Sequence, residues 1–310
     1  MTDITALLGT RYPIIQGAMA QISNASLVSA VSEGGGLGVI AGANLNGDQL
    51  RREIRLTRER TDKPFAVNLP MLSPYVEECA AVVTEEKPHF VVTAAGNPSR
   101  FIPRWKEAGI RIISVVATPK QAKKMEELGA DLIVAEGHES GGHVGLLTTM
   151  ALIPQVVEVV KVPVVAAGGI ATGAGMAAAL QLGASGVQLG TLFLAATEND
   201  FHPGYQQAVL AAGPEDAIVT GARANHAVRC LRNTLTGAFA QLDREALDVE
   251  AYERLGAGSL YKAVREGDAD NGSVMAGQIA GLVREAKPAA RLIADLVADY
   301  NAVINRLPTL

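Results

Sequence analysis

Val162-Pro-Val-Val-Ala-Ala-Gly-Gly169, a helical stretch over residues 173–182 and Gly186-Val-Gln-Leu-Gly-Thr191 read as one strand–helix–strand unit. The apolar runs are short and β-branched, as expected for parallel strands buried on both faces. Each ends in glycine, which lets the backbone turn sharply where a strand leaves the sheet. Outward from this unit the rhythm repeats. Strands are predicted over residues 13–19, 37–42, 65–70, 89–96, 111–118, 131–137, 162–169 and 186–194, with helices over 24–33, 47–61, 75–87, 99–108, 119–128, 150–160 and 173–182. Repeated right-handed crossovers give either an open doubly wound sheet or a closed barrel, and eight near-equal units favour closure. The expected fold is α/β, a (β/α)8 TIM barrel with a C-terminal extension of short helices and loops. The barrel is assigned to residues 1–197, a cap region to 198–277, and a C-terminal helix packing back on the barrel to 278–310.

Composition agrees with a chain folded throughout. Of 310 residues, 48% are hydrophobic and only 19% charged, too little charge for a disordered chain. A net charge of −5 argues against nucleic acid as a partner, because proteins that track phosphates carry a concentrated basic surface. Cys79 and Cys230 are far apart and fit neither a disulfide framework nor a metal-ligand spacing. A reducing cytoplasm is the expected setting. Residues 1–12 lack the basic start and apolar run of a signal peptide, and no stretch has membrane length. Arg51, Arg52, Arg55, Arg58 and Arg60 form a basic run on the second helix, expected to be a solvated outer face.

In a barrel, chemistry is expected at the carboxyl ends of the strands, where eight loops meet. Gly168 and Gly169 after the seventh strand, and Gly190 and Thr191 after the eighth, offer backbone amides that, with a helix N-terminus, could cradle a phosphate. Gly36-Leu-Gly38-Val-Ile-Ala41 loosely matches a dinucleotide pattern, but it opens a strand instead of joining strand to helix. The densest polar cluster, Glu136-Gly-His-Glu-Ser-Gly-Gly-His143-Val-Gly145, follows the sixth strand. His138 and His143 share no helical face and have no Cys or third His nearby, which argues against zinc, and no metal is assigned. Gly141 and Gly142 would let His143 turn into the barrel mouth, bringing a group that titrates near neutrality to a bound ligand.

These motifs, in this order, resemble the FMN-dependent enoyl-acyl-carrier-protein reductase II family, FabK, and its wider superfamily of nitronate monooxygenases. The resemblance covers nearly the whole chain. It rests on Tyr12-Pro-Ile-Ile-Gln-Gly-Ala-Met19, Gly34-Gly-Gly-Leu-Gly38, Pro64-Phe-Ala-Val-Asn68, Ala95-Gly-Asn-Pro-Ser99, residues 136–150 and Ala166-Ala-Gly-Gly-Ile170. Two later segments look more like the reductase: Asn225-His-Ala-Val-Arg229 with Asn233-Thr-Leu-Thr236, and Gly272-Ser-Val-Met-Ala-Gly-Gln-Ile-Ala-Gly-Leu-Val283. At Ala18, many relatives have glycine.

The resemblance implies an FMN site built from Gly17, Ala18, Met19, Asn68, Glu136, Gly141, Gly142, Ala167, Gly168, Gly169, Gln188, Gly190 and Thr191, with His143 as the active-site histidine. Asn97, Ser99 and Met275 are candidate substrate contacts. It further implies NADH or NADPH as reductant, an enoyl thioester of acyl carrier protein or coenzyme A as substrate in fatty acid biosynthesis, a homodimer, and a monovalent cation. The alternative it implies is nitronate oxidation with FMN and oxygen.

Overall fold

The structure is a computed structural model that describes residues 3–224, 226–245 and 247–306. A short helix, α1 (Thr5–Leu8), precedes β1 (Ile14–Gln16). Helices and strands then alternate: α2 (Ala25–Glu33), β2 (Gly38–Ala41), α3 (Gly47–Arg60), β3 (Phe65–Pro70), α4 (Val76–Glu86), β4 (Phe90–Ala94), α5 (Ile102–Glu107), β5 (Arg111–Val116), α6 (Pro119–Leu128) and β6 (Leu132–Glu136). A two-residue strand, β7 (Gly142–His143), comes before α7 (Thr149–Val159), β8 (Val164–Ala167), α8 (Gly173–Gln181) and β9 (Gly186–Leu189). Eight of these strands form one parallel sheet in the order β1-β9-β8-β6-β5-β4-β3-β2. A parallel bridge between Ile15 and Leu37 joins its two ends, so the sheet closes into a (β/α)8 barrel.

Alternation along each strand divides the apolar residues into two cores. Ile15, Val39, Ala66, Val92, Ile113, Val134 and Val165 fill the barrel interior, and their neighbours pack outward under the helices. Ile4 and Leu8 of the α1 region belong to the interior cluster, and the Arg111 guanidinium at the start of β5 reaches the Leu7 carbonyl. The amino end of the barrel is thereby plugged, and the carboxyl end is left for function.

The seam between β1 and β2 is thin, and a side chain completes it. Gln16 is fully buried, and its Oε1 accepts the Val39 amide at 3.0 Å. Its Nε2 donates to Ser23 Oγ at 2.9 Å and to the Gly17 carbonyl. Ser23 Oγ in turn accepts the Met19 amide at 2.9 Å, so the residue that closes the barrel also shapes the first loop of its mouth.

After β9 the chain makes a 3-10 turn at Thr191–Ala195 and enters a cap: α9 (Pro203–Ala211), β10 (Ala217–Thr220), β11 (Val228–Leu231), α10 (Thr234–Leu242), α11 (Val249–Gly256), α12 (Ser259–Tyr261) and a π-helical turn at Lys262–Glu266. A 3-10 turn at Gln278–Leu282 and α13 (Ala289–Ile304) follow. The helix expected over 278–310 is therefore confined to α13, and residues 307–310 lie outside the described residues. Because α13 packs against both α8 and α2, it completes the helical ring. The cap is thus inserted within the last strand–helix unit. It also contains strands where only loops and short helices were expected: β10 and β11 form an antiparallel sheet with β7.

The arginine run lies on an outer face, as expected, with Arg52, Arg55, Arg58 and Arg60 exposed. Arg51, Arg55 and Arg58 turn toward α4 and converge on Glu86, whose side chain is only 9% exposed, at 2.9–3.0 Å. Burial alone would raise the Glu86 pKa, but hydrogen bonds from Arg55 and Arg51 outweigh it and hold the carboxylate below its ordinary range. Three members of the run are thus paired at the surface with a neighbouring helix.

Replacing Gln16 with Leu removes the acceptor of the buried Val39 amide without opening a large cavity. The expected loss is about 1–3 kcal/mol, a lower thermal midpoint by calorimetry. An unchanged midpoint would show that the seam does not depend on this side chain.

Candidate functional site

The interior-facing positions at the carboxyl ends of the strands form the floor of the barrel mouth. Alternation beyond Ala66 brings Asn68 there, and alternation beyond Val134 brings Glu136. Ala18 and Ala167 belong to the interior cluster, and Gln188 lies between the outward-facing Val187 and Leu189. Asn68 Nδ2 donates to the Val92 carbonyl at 3.3 Å. Gly17 presents its backbone to the Gln188 side chain, and the Met19 sulfur faces Gly190.

Glu136 keeps some solvent access through the mouth, yet protein surrounds its carboxyl group. That burial pushes its pKa up to about 7, opposed by a 3.1 Å hydrogen bond from Ser140 Oγ. At neutral pH this carboxyl group is near its midpoint and can donate or accept.

Gly168, Gly169, Gly190 and Thr191 lie together at the ends of β8 and β9. Their backbone amides donate to no protein acceptor among the described residues. Gly168 has φ +90°, and a Cβ there would lie 2.9 Å from the Gly137 carbonyl oxygen, so only glycine suits the position. The helix N-terminus expected to help is already occupied. Thr172 caps α8, and Asp299 of α13 accepts the Gly173 amide at 2.6 Å. An anion at this corner would meet loop amides and not α8.

Above the floor runs the segment after β6. Glu139 accepts the Thr149 amide and hydroxyl at 2.9–3.1 Å, and the Thr149 hydroxyl reaches the Gly168 carbonyl at 2.9 Å, tying this loop to the glycine corner. His138 Nδ1 lies 2.6 Å from the Gly145 carbonyl, a bond that holds the loop's own turn. Gly141 passes so close to residues 276–277 that a Cβ would stand 2.7 Å from the Ala276 carbonyl carbon. Gly142 and His143 then pair with Arg229 and Val228 of β11.

His143 opens onto a cavity of about 360 Å³ whose other lining residues belong to the cap. Met275 lies beside it, against Gly142, and Val228, Leu235, Phe239 and Tyr252 supply apolar walls. The segment carrying Met275 is anchored on both sides: Tyr205 Oη donates to the Met275 carbonyl and Thr191 Oγ1 accepts the Gly277 amide, both at 2.8 Å. Although His143 retains solvent contact, burial lowers its pKa first and the neighbouring His226 lowers it further. Cys230 also faces the cavity, and burial pushes its thiol up to about 12, which keeps it neutral.

Comparison with known proteins agrees with this architecture. The pattern of the nitronate monooxygenase family matches residues 1–82 and 73–299. The chain belongs to the nitronate monooxygenase family. The structure of FabK from Thermotoga maritima superposes with a TM-score of 0.95, at 42% identity, covering 99% of this chain and 98% of that one. A nitronate monooxygenase of Paraburkholderia phytofirmans is 35% identical over 99% of both chains. A nitroalkane oxidase structure from Streptomyces ansochromogenes gives a TM-score of 0.86 at 29% identity, covering 99% of this chain and all of that one. As a member of this family, the chain is an oxidoreductase.

Of the residues singled out in this family member's sequence, His143 and Met275 share the cavity, while the cofactor candidates lie at the carboxyl ends of the strands and in the loop after β6 and do not line it. Asn97 and Ser99 do not line the cavity; Asn97 Oδ1 accepts the Ser99 amide at 3.0 Å, a local turn at the end of β4. Asn225 lies outside the described residues. Glu139, Thr149 and Arg229 were not singled out as site residues, since single polar residues in a loop, at a helix start and in a strand carry no pattern.

Two titrations follow. The Glu136 pKa is raised on folding from about 4.3 toward 7, so the native state binds more protons between those values. Stability should fall as pH rises through that window, and Glu136→Gln should flatten the fall; equal slopes in thermal melts of the two proteins would contradict the burial. His143 should titrate below its ordinary value by NMR, and His226→Gln should move it upward by removing a neighbouring positive charge.

Proposed function

We propose that the protein is an FMN-dependent reductase that passes hydride from NADH or NADPH to the trans-2 double bond of an enoyl thioester. The observation that carries this reading is the apolar cavity of about 360 Å³ beside His143, which suits an acyl chain and is far larger than a small nitronate needs. The 42% identity to FabK across nearly the whole chain supports the same choice.

The mouth fits FMN. Four backbone amides without protein acceptors, at Gly168, Gly169, Gly190 and Thr191, suit its phosphate. Gly17, Ala18, Met19, Asn68, Glu136, Ala167, Gly141, Gly142 and Gln188 would hold the rest of the cofactor. When bound, FMN supplies the two-electron hydride chemistry that no side chain offers. Around it the chain orients substrate and excludes water. The lowered pKa of His143 leaves a neutral ring at pH 7 with one N–H to donate, which favours holding and polarising the thioester carbonyl over protonating the substrate. Met275 would pack against the acyl group next to that carbonyl. A cytoplasmic setting, a homodimer and a carrier-protein or coenzyme A thioester complete the reading.

A second reading, nitronate oxidation, is favoured by the family pattern and by the Paraburkholderia relative. There His143 would position the nitronate or abstract a carbon-bound proton from its parent nitroalkane. Steady-state turnover of crotonyl thioesters and alkyl nitronates side by side separates the two. The expected outcome is NAD(P)H-dependent reduction of the thioester, lowered about 10²–10³-fold in His143→Ala with flavin retained. Turnover of nitronates alone would replace the reductase reading, and near-normal turnover by His143→Ala would remove the histidine from either.

A further inference from the structure

Arg229 is 2% exposed, and among the described residues it makes no ion pair. All three of its nitrogens donate instead to backbone carbonyls: Nε to Ser140 at 3.1 Å, Nη2 to His138 at 2.9 Å and Nη1 to Ala217 at 2.9 Å. Burying a guanidinium without a bonded carboxylate is costly, and burial lowers its pKa while Glu139 nearby partly compensates. Such an arrangement persists when it fixes something that apolar packing could not.

What it fixes is the loop that carries His143. His138 and Ser140 lie five and three residues before the imidazole, and Ala217 begins β10 of the cap. The guanidinium therefore ties the two turns of the loop to the cap sheet through a planar fork, a geometry a lysine cannot reproduce. Arg229 is also the ladder partner of Gly142, beside the Val228–His143 pair, and the Val144 amide continues the contact by donating to the Ala227 carbonyl at 3.1 Å. The side-chain fork thus holds His138 and Ser140, and the backbone ladder holds Gly142, His143 and Val144 of the same loop. Glycine at 141 and 142 leaves this stretch with little rigidity of its own.

We propose that Arg229 is a positioning residue: it sets the height and rotation of His143 over the barrel mouth without touching substrate or cofactor. The inference rests on the proposed role of His143 and holds for thioester reduction or nitronate oxidation alike. Its test is a double-mutant cycle on the flavin-loaded protein, using whichever of those two substrates the wild type turns over. Arg229→Met should lower kcat about 100-fold, the usual cost of a misplaced catalytic group. Flavin content should stay normal. The double variant His143→Ala/Arg229→Met should be no slower than His143→Ala alone, because Arg229 acts through the imidazole. Added guanidinium should recover part of the activity of Arg229→Ala.

Turnover by Arg229→Met within threefold of wild type, or losses that multiply in the double variant, would overturn the proposal. If Arg229→Met does not fold, Arg229→Lys, which keeps the charge and loses the fork, is read in the same cycle with an expected loss of about tenfold. A wild type that reduces no enoyl thioester defeats the reductase reading instead, and leaves the cycle to be run on nitronate.

Discussion

A loop that carries an exposed imidazole at a barrel mouth must satisfy its own backbone without burying itself, and here the cap meets that constraint. Between β6 and α7 the chain has no helix and only two residues of strand. Its carbonyls and amides are taken up by β11, by the Arg229 fork and by the Gln278 amide, which donates to the Glu139 carbonyl at 3.0 Å. Glu139 caps α7 in return, and Thr149 passes the connection to Gly168. The imidazole, the glycine corner and the cap are therefore one bonded unit, supported on a barrel whose interior is solid with aliphatic side chains.

Placing the cap between β9 and α13 explains how this unit is kept in register. The strand before the insertion and the helix after it both belong to the barrel, so the cap is tethered at two points and can roof the mouth from one side. Tyr205 and Thr191 fasten its return path near Met275, which closes one wall of the cavity. An apolar pocket then sits within the cap, walled by β11, α10 and α11, with His143 reaching it from the loop after β6, an arrangement suited to an apolar ligand that presents one polar group.

Much of this was legible in the sequence, for a definite reason. Parallel strands buried on both faces announce themselves as β-branched runs, and all eight lie inside their predicted ranges. Their ends were read too long, as at residues 13–19, because Gly17, Ala18 and Met19 leave the ladder to build the mouth. The flanking glycines drew attention to His143. The cap sheet was not legible: β7 is two residues long, and β11 carries a buried arginine where the pattern calls for an apolar residue. The exposed face of α3 was legible, but a run of charge on a helix does not reveal that Glu86 on its neighbour gathers Arg51, Arg55 and Arg58. Asn97 and Ser99 lie on a conspicuous turn whose polar groups satisfy each other.

Under the proposed function, a flavin in the barrel mouth would pass electrons to an enoyl thioester held by His143. Anaerobic stopped-flow absorbance of the purified, flavin-loaded protein tests it most directly. NADH or NADPH should bleach the flavin band, and crotonyl thioester should then restore it without oxygen. A protein that cannot be loaded with FMN, or one whose reduced flavin is restored by oxygen and never by the thioester, would contradict the account.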